Sequence, residues 1–204
     1  MKVFKFFFPI FLGLFLFSSC NKNDEMTTNN LDRLSIELEA NMHYKNYQQL
    51  STQFYQQVGN GEIALSSIVN ELRLREVENY CDFDITILDG FLGAAKFTDG
   101  LCGMLSLKIA LHQNFPELTS LDADDYLQLM LTDLSTSDQA TARVDNCLDE
   151  FQTELTMGEL PNGHICEGDM PTSILGGSIC WIMVIENAAD NYDGCCNGGG
   201  SGCP

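Results

Sequence analysis

The chain has 204 residues, 45% of them hydrophobic and 19% charged. That is enough apolar material for a buried core, and it excludes disorder by composition. Acidic residues outnumber basic ones 29 to 10, for a formal net charge of −19. Nucleic acids and anionic membrane faces both select a basic footprint, so neither is expected as a partner.

Lys2 and Lys5 precede an apolar run from Phe6 to Phe17, interrupted only by Pro9 and Gly13. The run is shorter than the roughly 20 apolar residues that span a bilayer. With the small Ser18 and Ser19 behind it, residues 1–19 read as a secretory signal peptide. The ending Leu16-Phe17-Ser18-Ser19-Cys20 resembles the lipobox of bacterial lipoproteins, with Phe17 where that family usually has an aliphatic residue. The resemblance implies cleavage before Cys20 and diacylation of its thiol, and two or three acyl chains anchor stably where one binds marginally. Asn21-Lys22-Asn23-Asp24-Glu25, a lysine followed by acids, resembles the surface-export tethers of Bacteroidota-type lipoproteins. The implied location is the outer membrane, on its periplasmic face or at the cell surface.

Residues 20–30 are polar after Cys20 and read as a flexible tether. Residues 31–165 read as a helical domain, and 166–204 as a Cys-rich segment packed on it. Leu31, Leu34, Leu38 and Met42 recur at helical spacing, and Tyr47, Leu50, Phe54 and Val58 continue the stripe after a break near Lys45. Gly59-Asn60-Gly61 stops it. A helix is predicted from about Glu62 to Tyr80. Cys81–Gly90 alternates like a strand, but a lone strand has no partner, so a helix capped by Asp84 is favoured. Asp99-Gly100 is read as a break before a helix from about Leu101 to Gln113. Thr119 is a predicted cap for the next helix, with Asp122 at N3. Thr136 and Gln139 form a capping box before a stripe of Val144, Cys147, Leu148, Phe151 and Leu155. A loop fills 158–172. Ile174–Ile185, with Trp181, reads as a core helix, and Gly194–Pro204 as an aperiodic tail. The fold expected is mostly α, a single helical domain of about six or seven helices with a disulfide-rich C-terminal tail.

Setting Cys20 aside, Cys81, Cys102, Cys147, Cys166, Cys180, Cys195, Cys196 and Cys203 remain. Export places them in an oxidising compartment, so disulfides are expected. Spacing alone does not assign the pairs. Adjacent Cys195 and Cys196 are expected to reach two different partners, because a bond between neighbours is strained. No C-x-x-C occurs, and His164 with Cys166 matches no zinc spacing, so no metal and no cofactor are expected. Saposin-like and ferredoxin-like cysteine spacings do not fit either.

Catalysis by a Ser/His or Cys/His pair would need His43, His112 or His164. Ser178, in Gly176-Gly177-Ser178-Ile179-Cys180, lacks the last Gly of a nucleophile elbow. Asp122, Asp124 and Asp125 suit a helix start better than a calcium loop, and Asp82, Asp84 and Asp89 are read the same way. Tyr44, Tyr47, Phe54 and Tyr55 read as core before binding face. The function expected is a non-enzymatic, lipid-anchored binding module for an envelope or extracellular protein or ligand. The alternatives are a toxin-like precursor with its activity in 166–204, or an envelope hydrolase with an unrecognised site.

Overall fold

A computed structural model describes residues 24–132, 134, 142–158 and 179–197. Residues 1–19, read as a signal peptide, together with Cys20, the expected Thr136–Gln139 capping box, His164, Cys166, Ser178, Cys203 and most of the expected 158–172 loop, lie outside the described residues. Among those described, the structure is all-α, with seven α-helices, two short 3-10 turns and no strand. The mostly α fold is as expected. The chain divides into two units, Met1–Asn41 and Met42–Pro204.

In the first unit, α1 runs Asp24–Ala40. It starts inside the stretch read as a flexible tether. The Leu31, Leu34, Leu38 stripe keeps helical phase along it. Leu34 and Leu38 are buried. The break in the first helical stripe falls at Asn41, earlier than the Lys45 expected.

In the second unit, α2 is Met42–Gly59, α3 Leu65–Leu74, α4 Ala94–Asn114, α5 Ala123–Met130, α6 Ala142–Met157 and α7 Ile179–Asn197. α2 packs along α4, and α6 packs against α2, α5 and α7. α7 also packs against α3. Rings from four helices form the centre: Phe54 lies 5.5 Å from Tyr55, 6.3 Å from Phe97 and 6.5 Å from Phe151, and Phe151 lies 5.5 Å from Tyr192. Such tilted and edge-on pairs add to the gain from area burial.

Several predicted boundaries move, each for a local reason. Asp99-Gly100 does not break α4. A Cβ at Gly100 would lie 2.5 Å from the Phe54 ring, so the glycine serves close helix packing instead of a turn. The helix predicted to Tyr80 ends at Leu74. Cys81–Gly90 is neither strand nor α-helix but holds a 3-10 turn, Ile85–Leu88, capped by Asp84, which accepts from the Thr86 N–H at 3.0 Å. Asp122, not Thr119, caps α5 by accepting from the Asp125 N–H at 2.9 Å. Thr119 sits in a second 3-10 turn, Pro116–Ser120, and donates to the Pro116 carbonyl. α7 continues through Gly194, Cys195 and Cys196 into the expected tail, because its buried stripe of Ala188, Ala189, Tyr192 and Cys196 keeps helical phase.

Two disulfides reinforce these contacts. Cys81–Cys102 ties the loop after α3 to α4, and Cys147–Cys195 ties α6 to α7, with Cα separations of 5.5 and 5.7 Å. In the chain-entropy model, loops of these lengths correspond to roughly 3 and 4 kcal/mol. Cys180 and Cys196 are disulfide-bonded as well. Sixteen residues apart on one helix, about 24 Å, they are not bonded to each other, so their partners lie outside the described residues. Cys195 and Cys196 thus reach different partners.

Gly100→Ala tests the α2–α4 contact. Overpacking against Phe54 is expected to destabilise by about 1–3 kcal/mol, measured by urea unfolding with the disulfides intact. An unchanged midpoint would mean the ring moves aside freely.

Candidate functional site

The helices bring two polar clusters together, one buried and one at the surface. The buried cluster begins on α4, where Lys108 and His112 stand one turn apart on the inward side. Lys108 is only 2% exposed. A buried amine is costly unless its protons find acceptors. Lys108 Nζ donates to the Thr156 carbonyl near the end of α6. It also lies 4.8 Å from the Trp181 ring centre on α7 and 5.5 Å from that of Tyr126 on α5. At these distances the ring quadrupole attracts a cation. His112 Nε2 is 3.0 Å from the Tyr126 hydroxyl. Burial pushes the nearby Tyr55 phenol well above its ordinary range, and neighbouring Tyr47 adds to the rise.

A cavity of about 10 Å³ adjoins Lys108, between Tyr47, Tyr55, Met104 and Leu155. That is the space of about one water molecule. A lysine activated as a nucleophile needs room for its substrate, and this cavity has none. The arrangement holds four helices in register.

A second polar group joins α3 to α7. Arg73 Nη2 is 3.0 Å from Asp190 Oδ2, and its Nε is 3.3 Å from Glu186 Oε2. The Tyr80 hydroxyl donates to Glu186 Oε1 at 2.8 Å. Burial, then the Glu186 carboxylate, pushes that phenol above its ordinary range. Between α6 and α7, Asn191 donates to Glu154 Oε1 at 2.6 Å. The second Glu154 oxygen is buried with no partner. Burial raises the Glu154 carboxyl above the usual glutamate range; the Asn191 hydrogen bond opposes the rise and the Glu150 charge adds to it.

The surface site is a groove of about 210 Å³ at the start of α3, lined by residues of the 58–67 segment and by Tyr192, Asp193 and Cys196 of α7. Ala64 stands at the N-cap position and supplies no side-chain acceptor. The Ala64 N–H donates to the Leu92 carbonyl and the Leu65 N–H to that of Ile63, both at 2.9 Å. Among the described residues, the Ser66 and Ser67 amides have no hydrogen-bond acceptor. The entry to α3 is fixed by Gly93, whose φ is +74°. A Cβ there would lie 2.2 Å from the Glu62 carbonyl oxygen, an approach only glycine permits.

The sequence candidates distribute as follows. His43 is an exposed residue of α2, and His112 faces Tyr126. Tyr47, Phe54 and Tyr55 are core, while Tyr44 donates to the Leu129 carbonyl. Asp84 and Asp122 are caps. Hydrogen bonds from the Thr86 side chain and backbone hold the Asp84 carboxyl below its ordinary range. Among the described residues no group of three or more His, Cys, Asp or Glu is placed to hold a metal ion. None of the described helices is long and apolar enough to cross a membrane. Sequence reasoning missed Lys108, because a lysine at an inward position of a helical stripe looks like a pattern error until its aromatic partners are known. It also missed the groove, whose one advance signal was an uncapped Ala64-Leu65-Ser66-Ser67.

These features define a disulfide-braced, all-α protein with a closed polar core. No family model, curated protein or solved structure matches the chain.

Two predictions follow from the buried groups. Lys108→Met, which keeps the volume but takes the donor away from the buried Thr156 carbonyl, is expected to cost about 1–3 kcal/mol. Trp181→Ala, which strips a ring from the retained amine, is expected to cost about 3–5 kcal/mol in the same unfolding assay. The second concerns pH. The folded-state pKa of Glu154 lies above its unfolded value, so its contribution is present below the ordinary glutamate range and is lost as pH rises through the elevated value. Glu154→Gln is therefore expected to gain melting temperature relative to wild type as pH rises from the ordinary glutamate range upward. A wild-type-minus-variant difference that is flat across that range would rule out the burial effect.

Proposed function

We propose that this protein is an exported, lipid-anchored module of the bacterial cell envelope that binds a ligand or an envelope or extracellular partner without catalysing a reaction. The observation that carries the reading is the pairing of the Cys20 lipobox with six disulfide-bonded cysteines downstream. An oxidised set of this size suits a chain that has left the reducing cytosol. The acidic balance keeps the module off anionic headgroups, so attachment falls to the acyl chains rather than to the protein surface.

The seating of α7 supports an intact module over a released C-terminal toxin. Trp181, Val184, Ile185, Ala188 and Ala189 are each no more than 2% exposed, and Cys195 is bonded back to Cys147 on α6. Releasing that segment would uncover this stripe and take the Tyr192 ring away from Phe151.

Intact mass of the protein from native membranes tests the proposal. The expected species starts at an acylated Cys20 and takes up eight alkyl groups only after reduction, and Cys20→Ala is expected to leave the membrane fraction. Retention of that variant would defeat the lipoprotein reading. A free fragment beginning near Cys166 would favour the toxin-like precursor.

A further inference from the structure

Six of the described cysteines are disulfide-bonded, and two of them, Cys180 and Cys196, have partners beyond the described residues. Cys81 is bonded to Cys102 and Cys147 to Cys195, so none of those four serves Cys180 or Cys196. Cys180 and Cys196 stand at opposite ends of α7, about 24 Å apart, and a bridge tolerates no more than about 6.8 Å between Cα atoms. The sequence holds nine cysteines, which leaves Cys20, Cys166 and Cys203 to pair with them.

The length of α7 chooses among the three. The helix ends at Asn197, and Cys203 lies six residues further on. To meet Cys180, Cys203 would have to return along almost the whole helix, about 25 Å at 1.5 Å per residue. A chain reversal takes about four residues and gains almost nothing along the axis, because its ends come within about 7 Å of each other. The three residues left cover no more than about 11 Å. With a bridge of about 6 Å added, that falls well short of Cys180. Cys196 is one residue before the helix end, within reach of the same short segment. Four of the six residues between Cys196 and Cys203 are glycine, which turns at the low steric cost a small ring requires. Cys20 heads the lipobox, where the proposed anchor needs its thiol unpaired. Cys180 is therefore left with Cys166, fourteen residues upstream, and Cys196 with Cys203.

We infer that Cys166 is bonded to Cys180 and Cys196 to Cys203, so that Cys20 is the one cysteine of this sequence outside a disulfide. Each bond forms between two thiols with loss of two protons and two electrons, and a disulfide oxidant of the envelope takes both up and leaves as a dithiol. The two bonds hold α7 at both ends, in addition to the Cys147–Cys195 bridge to α6. They also consume every thiol that would compete with Cys20 for acylation. The inference rests on the lipoprotein reading, which sets Cys20 aside, and deepens it. Pairing and acylation are read from different peptides, so either can fail without the other.

The test is a peptide map of the full chain purified from native cells, unfolded and alkylated without reduction, then cut after acidic residues and at Asn197-Gly198. Those cuts put Cys147, Cys166, Cys180 and Cys203 in four separate peptides and leave Cys195 and Cys196 together in a fifth. The Cys203 peptide is expected to be bonded to the Cys195-Cys196 peptide, which also holds the Cys147 peptide, and the Cys166 peptide to be bonded to the Cys180 peptide. Cys203→Ser is expected to gain one alkyl group, on Cys196, and Cys166→Ser one alkyl group, on Cys180. A Cys203 peptide bonded to Cys180, a Cys166 peptide bonded to Cys196, or Cys20 in any disulfide would each overturn the inference. The two expected pairs beside an unacylated, alkylated Cys20 would uphold the pairing and defeat the anchor instead.

Discussion

The approach of Phe54 to the bare backbone of Gly100 sets the distance between α2 and α4, and the rest of the second unit is built on that pair. With no Cβ in the way, the Phe54 ring sits against the α4 backbone and still reaches Phe97 on one side and Phe151 on the other. Phe151 carries the packing into α6, and Tyr192 carries it into α7. One missing methyl group therefore allows four helices to share a single aromatic centre. Interiors packed at this density transmit any change of helix separation, so the groove and the polar core both depend on the same contact.

The polar core is the clearest departure from a simple apolar bundle. An aliphatic residue at Lys108 could fill the same volume, but the buried Thr156 carbonyl would lose its donor. What the amine contributes is direction. It ties the end of α6, through the Thr156 carbonyl, to the faces of Trp181 and Tyr126 on two other helices. An apolar side chain accepts many neighbouring rotamers, whereas a buried N–H donor aimed at a carbonyl and at ring faces accepts few. For the short α5, whose Tyr126, Leu129 and Met130 are buried, the Tyr126–His112 hydrogen bond supplies a second fixed point.

Much of the fold was legible because helical period is a strong signal. The stripes of Tyr47, Phe54 and Val58, and of Cys147, Leu148, Phe151 and Leu155, are buried as their spacing implied. The errors fall where one residue type serves two purposes. Asp99-Gly100 has the composition of a break, yet Gly100 is a packing notch. Thr119 and Asp122 are both good caps three residues apart, and spacing alone does not tell that Asp122 is the one that caps α5. Gly194 with Cys195 and Cys196 looked like loop composition, yet the burial of Tyr192 and Cys196 outweighs the weak helix propensity of Gly194. The candidate site was far less legible. A groove leaves little trace in sequence until the two distant segments that wall it meet.

That meeting is governed by α7, whose two sides do different things. Ala188, Asn191 and Cys195 recur at intervals of three and four, and two of them hold α6, Asn191 through Glu154 and Cys195 through the disulfide to Cys147. Glu186, Asp190 and Asp193 recur the same way on another side, where the first two grip Arg73 of α3 and the third lines the groove. A rotation of α7 that withdrew Asp193 from the groove would have to break the Arg73 pairs and twist the Cys147–Cys195 bridge. Exposed ion pairs alone are weak restraints, but a covalent bond one turn away removes the freedom they would otherwise have to oppose. The disulfide that braces the C-terminal helix therefore also fixes the register at which Tyr192 and Asp193 confront the start of α3.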